Sequence, residues 1–169
     1  MYDFRIEATD KSALYAELAE VADALTAGEP DGIANMANVA ALLWETLPTL
    51  NWAGFYRNVG GELVLGPFQG RPACIRIPFG KGVCGAAAET REPQCVADVL
   101  EFPGHIACDS ASRSELVVPI LVGDQLVGVL DLDSPEPGRF DDDDVAGCVN
   151  LVQRIAERLG GMVKTPAGD

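Results

Sequence analysis

The sequence predicts an α+β domain built on a central, mainly antiparallel sheet of about six short strands with helices packed on one face. Three observations predict it. Apolar residues recur at helical spacing up to residue 47, at strand spacing from 51 to 134, and at helical spacing again from 145 to 159, which places helices before and after a sheet. The strand-like stretches come as successive hairpins, and hairpins pair antiparallel. Close to half of the 169 residues are apolar, enough for one core without disulfide or metal staples.

The elements follow in order. Asp10 can cap a first helix whose Leu14, Leu18, Val21 and Leu25 share a face. GEPDG, residues 28–32, breaks it. Ile33, Met36, Ala40, Leu43 and Leu47 form the stripe of a second helix ending near Pro48, so about residues 10–47 read as a helical hairpin. NWAGFYRNV (51–59), the Gly60–Gly61 turn and ELVLGPFQG make a β-hairpin. IRIPF (75–79) is a short strand, GVCGAAAETRE (82–92) a short helix and QCVADV (94–99) another strand. Residues 100–113, LEFPGHIACDSASR, form a long irregular loop of the kind that often carries function. ELVVPILVG and QLVGVLDLD, joined at Asp124, form a second hairpin and close a sheet region of about residues 51–134. A last helix, about 141–160, opens on the acidic turn Asp141–Asp144, which suits the helix dipole, and lines up Val145, Cys148, Val152, Ile155 and Leu159. No repeat or linker divides the chain, so residues 1–169 are read as a single domain.

Composition excludes several classes of partner. Twelve Lys and Arg against twenty-six Asp and Glu give a net charge of −14. Nucleic acid and anionic membrane both call for a basic footprint, so neither is expected as a partner. MYDFRIEATDKS shows no basic stretch followed by an apolar run, and no apolar run approaches membrane-spanning length. The expectation is a cytoplasmic protein. In that compartment the five cysteines (Cys74, Cys84, Cys95, Cys108, Cys148) point to transient redox chemistry more than to lasting disulfides. They form no C-x-x-C pair and His105 is the only histidine, so no metal site is expected.

Three local patterns carry chemistry. GKGVCG (80–85) fits G-x-G-x-x-G, the fingerprint of a dinucleotide-binding loop. That loop needs a strand buried on both faces before it and a full crossover helix after it. Here Arg76 and Pro78 sit in the preceding strand, and the helix is short. The other reading is a glycine-hinged loop presenting Cys84, whose thiolate Lys81 and the nearby helix start would favour. Cys148, on an apolar stripe, and Cys95, inside a strand, read as small buried hydrophobes. In VLDLD, Asp131 and Asp133 are two apart on a strand and share a face, and a simple hairpin brings Glu115 beside them. They are either a solvated strand end or a cluster in which repulsion raises at least one pKa and holds a proton donor. Trp52 and Tyr56 share a face of the first strand with Gly54 between them, as ordinary core or as the wall of a small pocket.

Taken in order, NWAGFY, LVLGPFQG, IRIPFGKGVCG, PGHIACD, SELVVPI and VGVLDLDS resemble the free methionine-(R)-sulfoxide reductases, stand-alone proteins of the GAF fold, over about residues 12–160. The resemblance implies an oxidoreductase that reduces free L-methionine (R)-S-oxide to L-methionine through a cysteine sulfenic acid and a disulfide. Its redox cysteines fall on Cys74, Cys84 and Cys108, with Cys108 as the attacking thiolate and Cys74 or Cys84 resolving its sulfenic acid. Its catalytic and substrate-binding carboxylates fall on Glu115, Asp131 and Asp133, and its aromatic wall on Trp52 and Tyr56. It further implies thioredoxin as reductant, with NADPH acting indirectly, no bound cofactor, and a homodimer. Cys95 and Cys148 depart from the pattern. The alternative is a non-enzymatic GAF domain that senses a small molecule or redox state.

Overall fold

The computed structural model describes residues 4–8, 10–104 and 110–161. Asp10 accepts a hydrogen bond from the backbone N–H of Ala13 and opens α1, Lys11–Thr26. Asp31 accepts from the N–H groups of Ile33 and Ala34 and opens α2, Gly32–Thr46. Such caps satisfy N–H groups that a helix start leaves without partners. The strands are β1 (Trp52–Val59), β2 (Glu62–Gly70), β3 (Arg76–Pro78), β4 (Gln94–Val96), β5 (Ser114–Val122) and β6 (Gln125–Ser134). The short helix α3, Gly82–Thr90, lies between β3 and β4, and α4 runs from Asp142 to Leu159. The expected strand over 94–99 stops at Val96, because Asp98 caps a 3-10 turn at Val99–Glu101.

All six strands join one antiparallel sheet in the order β3-β2-β1-β6-β5-β4. The α+β fold is therefore as expected, with one difference in its layers. α1, α2 and α4 cover one face, where Leu18, Leu43, Leu151 and Ile155 pack on Phe55, Leu116, Leu130 and Leu132. The remaining helix, α3, takes the opposite face, where Val83 and Ala87 pack with Trp52, Tyr56, Val117 and Val129. The central strands dictate this. β5 is buried over seven consecutive residues and β1 over five, so both faces carry apolar side chains that need cover.

Asp144 ties the helical layer together. It is fully buried, accepts hydrogen bonds from the Tyr15 hydroxyl at 2.8 Å and the Asp141 N–H at 2.9 Å, and pairs with Lys11 at 2.6 Å and Arg139 at 3.1 Å. A buried carboxylate with two cations and two hydrogen-bond donors has its desolvation cost offset. Gly147 sits against the Tyr15 ring with no room for a β-carbon, which lets α1 and α4 approach closely. Among the described residues no helix is long and apolar enough to cross a membrane.

Candidate active site

Strand register builds the site. Glu115 of β5 lies opposite Asp133 of β6, and Val117 opposite Asp131. On the other side of β6, Asp133 lies opposite Trp52, Asp131 opposite Gly54 and Val129 opposite Tyr56. Alternation along a strand then puts Glu115, Asp131, Asp133, Trp52 and Tyr56 on the one face that α3 covers. The cluster expected from the spacing of VLDLD is present, and it is no solvated strand end: Glu115 is 7% exposed and Asp131 5%.

GKGVCG supplies the lid of this cluster. Gly82 has φ +62°, a left-handed turn that carries the chain from β3 into α3. At Gly85 a β-carbon would stand 2.5 Å from the Pro78 carbonyl oxygen, so only glycine lets the helix sit this close to the strand. Cys84 then faces the acids from the first turn of α3, and its Sγ donates to Glu115 Oε1 at 3.8 Å. β3 is a three-residue edge strand paired antiparallel to β2. The two-sided parallel strand of a dinucleotide site is absent from this loop.

The electrostatics of Cys84 differ from the expectation. It is 4% exposed, and burial, then Asp131 and Glu115, push its pKa well above the ordinary thiol value. Lys81 is exposed, and its pull does not outweigh the buried Asp131 and Glu115 together with the half-buried Asp133. The thiol form is favoured, where the motif alone suggested thiolate. Burial likewise raises Asp131, and burial together with Asp131 and Asp133 raises Glu115 well above the carboxylate range. Low-dielectric surroundings disfavour each charge, and neighbouring negative charge adds to the penalty. Asp131 Oδ1 is buried without a hydrogen-bond partner.

The aromatic wall has three members. Trp52 stacks on Tyr56 at 5.8 Å between ring centroids and on Phe68 at 5.1 Å. Phe68 was not anticipated from the sequence. It lies opposite Gly54 in the β1–β2 register, and its backbone and Cβ fill the space that a Gly54 side chain would take. The gap at Gly54 therefore admits a neighbouring strand, not a ligand. Its pairing with a glycine was the available signal. Trp52 Nε1 donates to the Arg71 carbonyl at 3.1 Å, and the Tyr56 hydroxyl to the Cys74 carbonyl at 3.0 Å. These bonds fasten the segment after β2 over the sheet. A narrow cavity of about 20 Å³ remains, lined by Trp52, Tyr56, Asp131, Asp133 and residues 71–73. A larger one of about 560 Å³ opens at the far end of the sheet beside Met36, Arg57 and Leu159, but no cysteine or carboxylate lines it.

The five cysteines separate clearly. Cys74 is disulfide-bonded, while Cys84, Cys95 and Cys148 are free thiols. Cys148 is buried in α4, as expected. Cys95 is exposed, contrary to its reading as a buried hydrophobe, because β4 is an edge strand. Cys108 and His105 lie outside the described residues. The ends of their loop are anchored beside the acids: Val99 N–H donates to the Arg113 carbonyl and Arg113 N–H to the Ser134 carbonyl, each at 2.8 Å, and Arg113 pairs with Asp98 at 2.6 Å.

Comparison with known proteins adds a second line. A family model described as GAF domain matches residues 16–162. Free methionine-R-sulfoxide reductase of Escherichia coli is 50% identical over 89% of this chain and 91% of its own length. The Saccharomyces cerevisiae protein of that name is 44% identical over 78% of each chain. A crystallographic structure of free methionine-R-sulfoxide reductase from Neisseria meningitidis, in complex with its substrate, superposes with a TM-score of 0.90 at 43% identity, covering 95% of this chain and 97% of that one.

Proposed function

Because the chain belongs to the GAF-domain family of free methionine-R-sulfoxide reductases, we propose that it reduces free L-methionine (R)-S-oxide to L-methionine, with Cys108, Cys74, Cys84, Glu115, Asp131, Asp133, Trp52 and Tyr56 carrying the reaction. The observation that supports this most directly is the buried Glu115–Asp131 pair beside the aromatic wall. A carboxyl kept protonated by burial can deliver a proton to the sulfoxide oxygen and make the sulfur electrophilic. The remaining carboxylate charge attracts the substrate ammonium, and the aromatics enclose the methyl and methylene groups. The Cys108 thiolate then attacks the sulfur. Oxygen passes to Cys108 as sulfenic acid and methionine leaves. A second thiol displaces water from the sulfenic acid and a disulfide forms.

Cys74 fits the resolving role better than Cys84. Cys74 carries a disulfide, whereas Cys84 is a free thiol held protonated by burial. A dithiol protein of the thioredoxin class, itself recharged from NADPH, returns both thiols by exchange. None of these steps calls for a bound cofactor. The same reading makes the protein cytoplasmic and homodimeric. Ile33 and Trp44, exposed on α2, offer apolar area for the second copy, which light scattering would test.

The activity is tested by following NADPH loss with thioredoxin and its reductase on the two epimers of free methionine sulfoxide. Consumption of R with S untouched is expected, and so is loss of turnover in Cys108→Ser. Turnover of neither epimer, with a small dithiol equally ineffective, would refute the reading in favour of a GAF sensor.

A further inference from the structure

We propose that Cys84, Glu115 and Asp131 form a binding site for a zinc-class divalent cation, which excludes substrate from the pocket. The exclusion rests on the function proposed above. The cation site itself rests on geometry alone.

One donor atom from each of the three residues, all buried, lies within 4.8 Å of the other two. The Cys84 Sγ to Glu115 Oε1 distance is 3.8 Å. A tetrahedral zinc ion with Zn–S of about 2.3 Å and Zn–O of about 2.0 Å needs sulfur and oxygen about 3.5 Å apart. That sulfur–oxygen edge is within a few tenths of an ångström of the requirement, and the other two edges are no longer than 4.8 Å, so side-chain rotations would close the site. One thiolate sulfur and two carboxylate oxygens form a mixed set that suits zinc, whereas magnesium and calcium take oxygen donors alone. Water would fill the fourth position.

Two further features separate this triangle from an ordinary group of acids. The donors stand on paired central strands and on a helix packed at Gly85, so the backbone holds them in place. Asp131 Oδ1, on a residue 5% exposed, is buried and has no hydrogen-bond partner. Among the described residues neither Glu115 nor Asp131 forms an ion pair with Lys or Arg. A dication supplies the missing partner. On binding, the Cys84 thiol and any protonated carboxyl of the Glu115–Asp131 pair give their protons to solvent, and the sulfur and both carboxylates donate lone pairs to the metal. No electrons are transferred, and the disulfide at Cys74 need not change.

The test is a cobalt titration of chelator-treated, reduced protein, read by the thiolate-to-cobalt charge-transfer band and the visible bands of tetrahedral cobalt. One equivalent is expected to bind and zinc to displace it. The charge-transfer band should vanish in Cys84→Ser, persist in Cys108→Ser and Cys74→Ser, and need at least tenfold more cobalt in Asp131→Asn. No charge-transfer band in wild type, or one that survives Cys84→Ser, overturns the site. If Cys84→Ser does not fold, as read by far-ultraviolet circular dichroism, Asp131→Asn decides: an unchanged cobalt affinity overturns the proposal. Added methionine (R)-sulfoxide should weaken zinc binding. A cobalt site that passes these tests in a protein with no sulfoxide turnover would refute the reductase reading and leave the cation site standing.

Discussion

Asp131→Asn should make the protein more stable at alkaline pH while removing most of its activity. Burial raises the Asp131 pKa from 3.8 to about 7. The fold thus favours the protonated acid. Its contribution is fully present below the unfolded-state pKa and is lost as pH climbs through the folded one. A rise of about three units at about 1.4 kcal/mol each bounds the loss at about 4 kcal/mol by pH 8. Asparagine keeps the shape and a donor for Glu115 but does not ionise. With an m-value of about 2 kcal/mol/M, the variant should unfold up to about 2 M higher in urea than wild type at pH 8. At pH 5 the gap should shrink to roughly 2 kcal/mol, because only part of the titration has then occurred. The assay is urea unfolding of reduced wild type and variant at both pH values, with turnover measured on the same samples. A gap independent of pH, or a variant less stable than wild type at pH 8, would refute the claim that this carboxyl is held protonated by burial.

Glu115→Gln should lower kcat by about a hundredfold or more if Glu115 donates the proton, the usual range for a general acid, with the alkaline limb of the pH–rate profile displaced. Cys74→Ser should release about one equivalent of methionine per protein in a single burst and then stall with thioredoxin, since the sulfenic acid would lack its resolving thiol; rapid-quench product analysis checks it. Gly147→Ala should destabilise the fold by about 1–3 kcal/mol, because its methyl group meets the Tyr15 ring. Thermal unfolding reads that loss, and activity at a permissive temperature should be retained. Asp144→Ala should cost about 3–5 kcal/mol, measured by urea unfolding, because it leaves Lys11 and the largely buried Arg139 side chain without their shared carboxylate.

What could be read from the sequence followed from exact periods. Strand parity and hairpin pairing sufficed to bring Glu115 to Asp131 and Asp133, because one register satisfies both the turn at Asp124 and the apolar faces of β5 and β6. The helical stripes were legible for the same reason, and Cys148 followed with them. Features fixed by contacts distant in sequence were not. The side on which α3 packs depends on the two-sided burial of β1 and β5. Phe68 joins Trp52 only through the cross-strand neighbour of Gly54. Cys95 reads as buried by its strand neighbours, but β4 is an edge.

Cys84 shows why local electrostatics can mislead. A nearby lysine and a helix start are both real, and both favour thiolate. The lysine side chain is in water, where its charge is screened, while the thiol lies among carboxyls in the interior. At short range and low dielectric the interior groups dominate. The same balance explains why the acids can sit where they do. Two cores on opposite faces of β1, β5 and β6 hold the strands rigidly enough to keep Glu115 and Asp131 in an environment that each would leave if free to move. The fold spends stability there, and a proton available near neutral pH is the result. Any substitution that relaxes the cluster should therefore move stability and turnover in opposite directions, whereas a substitution in the helical layer, such as Gly147→Ala, should lower stability without shifting the pH–rate profile.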